Sequence, residues 1–317
     1  MRDKSLVFTT DFSSNYITHI YTLSNAGFID IDYEKKYGNS ICKKDIDFLK
    51  QQKSLLQFSQ GVNGLYSAIF YFVAAFNFLQ TQNQWRDYFL AWNNYVINHN
   101  SEVIKPYFKN YHFPKLYEQY SQIDKLEWKN TVVSIFNIFI KNLNNYKIEI
   151  FPEVESVLIK RCSDLNNKLE DINYISKWQK ITGYKYLYKT YYVYLYYAGK
   201  NGPSWNDICL NKNTAYFNHK TKYMLDMISH EVGVHILISD LWQVINKLKN
   251  KGHSHSAVYY AFEMLATYYN SCVLNRLGND VYNEKCQQLI DFYNTINRNK
   301  KYTPKELLVK AVNYLSV

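Results

Sequence analysis

The chain has 317 residues, 47% of them hydrophobic and only 20% charged, which is enough material for one large or two ordinary cores and excludes a disordered polymer. Its 37 Lys and Arg against 27 Asp and Glu leave a net charge of +10. The basic residues are scattered, however, and the densest run (Arg298, Lys300, Lys301) is short. With no Gly-rich phosphate loop and no paired-Cys motif, nucleic-acid binding is not expected; the positive surplus reads first as a solvated basic surface and second as a match for an acidic protein or peptide partner.

In chain order, the N-terminus (MRDKSLVFTTDF) has no apolar core of a secretory signal. Helices with aromatic faces are predicted at about 44–58, 63–80, 84–98 and 126–145. The stretch from Ser54 to Trp85 carries no charge, and Leu65–Leu79 (LYSAIFYFVAAFNFL) is almost wholly apolar. It falls short of the roughly 20 apolar residues a spanning helix needs. Asn63, Ser67 and Asn77 also flank or interrupt it, so a buried helix is expected and a membrane span is not. Residues Tyr146–Phe151 (YKIEIF) alternate like a short strand, and Pro152 then opens a helix to about Leu169. Tyr184–Ala198 reads equally as helix or strand. Gly199–Pro203 (GKNGP) is the strongest loop signal, followed by a short strand at Trp205–Asn211. A helix capped by Thr221 or Asn218 should run to about Ser239, with further helices at about 255–275, 281–296 and 303–315. The five cysteines (42, 162, 209, 272 and 286) are odd in number and lack a CxxC pair. A reducing, cytoplasmic setting is therefore expected. The fold class read from this order is mainly α, with a small sheet: an N-terminal helical region over 1–150 and a functional region over 151–317.

Chemistry concentrates in the second region. Between Lys222 and Asp240 the helix is apolar nearly all round, and Asp226, His230, Glu231 and His235 are its few ionisable groups. The next helix, within Gly252–Asn275, has Glu263 as its sole formal charge. An ionised carboxylate in an apolar helix needs a partner, because burying it alone costs several kcal/mol. Two histidines and a glutamate fit a zinc site that leaves one position for water, and a further carboxylate beside it fits a general base. The bland alternative is a pair of core histidines satisfied by hydrogen bonds. The spacing SHEVGVHI is H-E-x-x-x-H. Positions five apart on a regular helix diverge by about 140°, against about 40° for positions four apart. A common metal therefore requires a wide π-type turn, for which Gly233 marks the least costly place.

SHEVGVHIL, followed 28 positions after His235 by the glutamate of FEMLA, resembles the HExxxH metallopeptidases. These comprise the tubulin tyrosine carboxypeptidase and the bacterial QEGLA-motif proteins, some of them described as modulators of flavohemoglobin expression. The segment ICLNKNTAYFNHKTKYMLDMISHE also resembles the lead-in to their motif helix. The resemblance covers about 205–275 and departs from the family where Val234 replaces Thr and where only Glu263, Leu265 and Ala266 of the second motif keep their places. It implies a zincin-like metallopeptidase core, Zn2+ on His230, His235 and Glu263, and Glu231 as the base. It also implies hydrolysis of a peptide or protein tail, of the carboxypeptidase kind. The other implied reading is a non-catalytic, metal-binding regulatory protein that keeps the fold. Asp226, one turn before His230, would orient it or pair with Lys222. His253 and His255, and any of Tyr259, Tyr260 and Tyr268, are further polar groups near this region.

Overall fold

The computed structural model describes residues 6–56, 66, 68–108, 123–169, 172–200, 202, 204–207, 211–275 and 284–316. Cys209, Asn63, Ser67, Pro203 and the ends of the predicted helices at 57–58, 63–65 and 281–283 lie outside them. The chain is mainly helical with one four-stranded sheet of order β1-β2-β4-β3. It forms two compact units, and these are not the expected halves: one comprises residues 8–166 and 193–219, the other 1–7, 167–192 and 220–317. The difference arises because the strand segment after residue 192 belongs with the N-terminal helices, and the helices around His230 begin only after it.

The first unit holds most of β1 (Leu6–Thr10), then α1 (Phe12–Leu23), α2 (Ile31–Tyr37), α3 (Lys43–Gln51), α4 (Gln82–Asn98), α5 (Val133–Asn145) and α6 (Phe151–Lys168). α1 is buried over its whole length. Its N-cap Asp11 accepts from Ser14 N at 2.9 Å, which satisfies one of the amides a helix start leaves unpaired. α4 opens on a capping box between Thr81 and Gln84. Among the described residues, wide π-type turns interrupt this unit at Ala68–Val73, Trp128–Val132 and Tyr146–Ile150. The last of these replaces the predicted strand. Ile148 is 67% exposed while Tyr146 and Ile150 are buried, so the apolar pair sits one helical turn apart and the alternation marks no sheet face.

Aromatic side chains supply the core of this unit, which is why a chain with 32 Tyr and 18 Phe can do without larger aliphatic runs. Tyr16 meets Trp85, Phe139 and Tyr146 within 6.0 Å between ring centroids, and its hydroxyl donates to the Phe139 carbonyl. Such ring pairs each contribute about 0.5–1.5 kcal/mol beyond their burial. The uncharged stretch is part of this core: Ile69, Phe70 and Tyr71 are fully buried, and Tyr71 stacks on Trp205 at 4.2 Å. Among the described residues no helix is long and apolar enough to cross a membrane.

The remaining strands are β2 (Tyr191–Tyr196), β3 (Trp205–Asp207) and β4 (Lys212–Tyr216). Of the ambiguous Tyr-rich segment, 191–196 is the strand β2, and residues 184–190 before it are neither helix nor strand. β3 pairs antiparallel with β4, Asn206 facing Asn213. The GKNGP loop between β2 and β3 uses Gly199 at φ +92°, where a side chain would also strike Phe28. Arg161 on α6 donates to the carbonyls of Phe217 and His219, fixing the turn that follows β4.

The second unit is helical: α7 (Tyr174–Thr182), α8 (Thr221–Asn250), α9 (His255–Val273), α10 (Glu284–Asn299) and α11 (Pro304–Leu315). α8 extends 11 residues beyond the predicted Ser239 limit, and neither Thr221 nor Asn218 caps it. α9 is capped by Ser254, whose hydroxyl accepts from Ala257 N at 3.1 Å. α11 begins with Pro304 inside a Thr303–Glu306 capping box.

His19, on α1, is buried between Tyr33 (Nδ1 to hydroxyl, 2.7 Å) and Ser40 (Nε2 to hydroxyl, 3.2 Å). Burial lowers its pKa to about 3. The unfolded chain binds this proton near the ordinary value of about 6.5. The stability His19 contributes is thus present above that value and lost as pH falls from there toward 3, by about 1.4 kcal/mol per pH unit. Urea titrations of His19→Gln and the wild type between pH 6.5 and 3 should show a shallower pH slope in the variant by about that amount; parallel slopes contradict the assignment.

Candidate functional site

α8 and α9 pack along one another in the second unit, with α7 against both. The apolar composition of α8 follows from where its faces lie. Met224, Ile228, Val232, His235 and Leu241 are buried, whereas Asp226, Met227, His230 and Glu231 are only partly so. Met224, Ile228, Val232 and His235 recur at three- and four-residue spacing, as do Asp226, Met227, His230 and Glu231, which is the pattern of faces on a regular helix. On α9 the partly exposed positions Tyr259, Tyr260 and Glu263 likewise share a face.

His230 and Glu263 meet between the two helices: Nε2 of the imidazole stands 3.4 Å from Oε2 of the carboxylate. Their side chains keep 21% and 26% of their surface, so the pair is sheltered yet reachable. Burial works against a charge on His230, but the Glu263 hydrogen bond and the charges of Glu231 and Glu263 outweigh it and raise the imidazole pKa. Glu231 is therefore close enough to act on the same group. Tyr259, one turn before Glu263, hydrogen-bonds that carboxylate, and its phenol is pushed up by burial first and then by Glu263 and Glu231. His230, Glu231, Glu263 and Tyr259 form one polar cluster on otherwise apolar helices.

His235 does not join it. The helix is α-helical throughout residues 221–250, with no wide turn between His230 and His235. Among the described residues the π-type turns lie in the other unit. His235 is consequently carried about 140° round from His230, onto the buried face, where its ring meets the edge of Tyr191 at 5.0 Å. Burial alone lowers its pKa to about 3, which keeps it neutral. Among the described residues no group of three or more His, Cys, Asp and Glu is gathered to hold a metal ion. The donor set His230, His235 and Glu263 thus does not fit zinc with α8 in this form.

Gly233 has a different task from the one its position suggests. A Cβ there would fall on the indole of Trp178, 2.5 Å from Cε2 and closer still to Cζ2 and Cη2. Trp178, on α7, is fully buried and donates from Nε1 to Ser229 Oγ at 3.3 Å. The glycine lets α7 lie close against α8 at the turn that carries the motif. Tyr191 and Trp178 carry no sequence signal linking them to the motif; only the packing reveals them.

The weaker candidates separate clearly. His253 pairs with Ser316 Oγ at 3.0 Å, and His255 is the exposed first residue of α9, about 12 Å along the helix from Glu263. The Asp226 carbonyl accepts from Asn270 Nδ2 at 3.2 Å. The Tyr268 hydroxyl accepts from Asn297 Nδ2 at 3.0 Å, on the side of α9 that meets α10.

No protein-family model, curated protein or solved structure matches the chain.

Alanine in place of a helical glycine ordinarily stabilises by about 0.5–1 kcal/mol. At Gly233 the sign should reverse, because the fully buried Trp178 must give way, and overpacking of this kind costs about 1–3 kcal/mol. Denaturant unfolding of Gly233→Ala tests this, and an unchanged or raised midpoint refutes the close approach.

Proposed function

We propose that the chain is a hydrolase of the HExxxH peptidase class, working through His230, Glu231 and Glu263 where α8 meets α9. The observation that supports it best is the 3.4 Å approach of His230 to Glu263 across two apolar helices, with Glu231 beside them. Two helices that have little reason to carry charge bring their carboxylates and an imidazole to one partly open place, and such placement is costly unless it is used.

The chemistry these side chains can perform is general acid–base hydrolysis of a peptide bond. Glu231 takes a proton from water, and the hydroxide adds to the scissile carbonyl carbon. The developing oxyanion accepts a hydrogen bond from the His230 imidazolium, which Glu263 holds in place and Tyr259 supports through Glu263. Glu231 returns its proton to the nitrogen as the C–N bond breaks. The resemblance adds Zn2+ on His230, His235 and Glu263. With His235 on the buried face these three do not close a set, so no step here passes through the ion. A peptide or protein tail of acidic character suits a chain with a net charge of +10.

A second reading, a regulatory protein that keeps the motif without turning over substrate, is favoured by one observation. Gly233 is pinned under Trp178 and His235 against Tyr191, which opposes the rewinding a three-ligand site needs.

A positioned general base contributes about 10²–10⁴-fold. Glu231→Gln should therefore lower kcat/KM on acidic-tailed peptides by at least 100-fold, with the thermal midpoint unchanged. Full activity in that variant removes Glu231 from the mechanism, and a folded wild type inert toward a broad peptide library supports the regulatory reading. Elemental analysis of the same preparations reports the zinc content. About one ion per chain would show that residues 230–235 adopt a second form.

A further inference from the structure

The first unit carries a groove of about 500 Å3 between α4 and α5, unrelated to the hydrolytic cluster. That volume falls within the range of small-molecule sites, about 300–1,000 Å3. Its floor is a pair of stacked rings, Phe89 on α4 and Phe136 on α5, with centroids 3.8 Å apart and planes within 5°. Leu90 stands at the lip with 63% of its surface exposed.

The groove has a direction. Gln82 at the start of α4 donates to the Ile140 carbonyl near the end of α5, so the two helices run antiparallel along it. Arg86, Asn137 and Lys141 consequently gather at one end, and the apolar side chains run away from them toward Asn93. Lys141 is held by Asp45 at 2.8 Å, and Asn93 Oδ1 accepts from Trp128 Nε1 at 3.0 Å. Arg86 is exposed, and among the described residues it has no ion-pair partner. One end therefore presents a guanidinium for an anion, the middle presents the aliphatic surface of Leu90 and of the half-buried Val133 and Ile140 over the buried ring pair, and at the far end the Asn93 amide oxygen is already engaged.

We propose that this groove binds an alkyl carboxylate: the carboxylate on Arg86, with the Asn137 amide beside it, and the alkyl chain along Ile140, Val133 and Leu90. A guanidinium–carboxylate contact is charge-assisted and directional, while covering Leu90, Val133 and Ile140 supplies apolar burial. A neutral or cationic head would leave Arg86 without its complement.

Calorimetric titration of the full chain with decanoate, kept below its micelle-forming concentration, tests this. Saturable 1:1 binding is expected, weakened at least tenfold by Arg86→Gln and lost when decyltrimethylammonium replaces decanoate. Because Arg86 is exposed, the variant should melt with the wild type. Leu90→Asp, which places a like charge at the lip, should weaken decanoate as well and keeps the test open should Arg86→Gln misfold. Absence of saturable decanoate binding, equal affinity for the cationic amphiphile, or indifference to both substitutions overturns the proposal.

Discussion

The meeting of His230 with Glu263 depends on helix phase. On α8, His230 shares a half-buried face with Asp226 and Met227, one turn before it, and meets the carboxylate of α9, while His235, five positions on, is carried to the buried face. Trp178 reinforces that phase: its indole occupies the space over Gly233, and its Nε1 holds Ser229. Any insertion of an extra residue into this turn must displace a fully buried tryptophan as well as rewind the backbone. The polar cluster and the exclusion of His235 are therefore two results of one constraint.

That constraint explains which parts of the site were legible in the sequence. Glu231 and Glu263 stand out because a lone carboxylate in an apolar helix needs a partner, and His230 is that partner for Glu263. The six-residue motif also raises the correct geometric problem, since 140° separates its histidines. The expected remedy, a wide turn at Gly233, rests on glycine as a backbone weak point. Instead the glycine makes room for a side chain from α7, a contact between segments some 55 positions apart that no local pattern encodes. Wide turns do occur in this protein, but in the aromatic unit, where Tyr146 and Ile150 bury on one face around the turn.

The fold shows the same division between local and distant information. Helices with long amphipathic or uniformly apolar runs were foreseeable from periodicity and caps, such as α4 with its Thr81–Gln84 box and α11 with Thr303, Pro304 and Glu306. β1, β4, α1, α2 and α7 were not foreseen. α1 is buried on every side and contains Ser13, Ser14, Asn15 and Thr18, so it has no amphipathic stripe to read. Asn15 instead spends its amide on the Leu195 and Asp11 carbonyls and accepts from Tyr197 N, which ties the helix to the segment around β2. Buried polar residues of this kind are satisfied only by the completed fold.

The central claim is that His230 and Glu263 act as one unit across α8 and α9. A double-mutant cycle on chemical unfolding, with His230→Ala, Glu263→Ala and the double variant, measures their coupling directly. Groups in contact couple by about 0.5–3 kcal/mol, whereas independent sites add to within about 0.3–0.5 kcal/mol. The account predicts a favourable coupling of about 1 kcal/mol or more near neutral pH; additive single and double variants would contradict it.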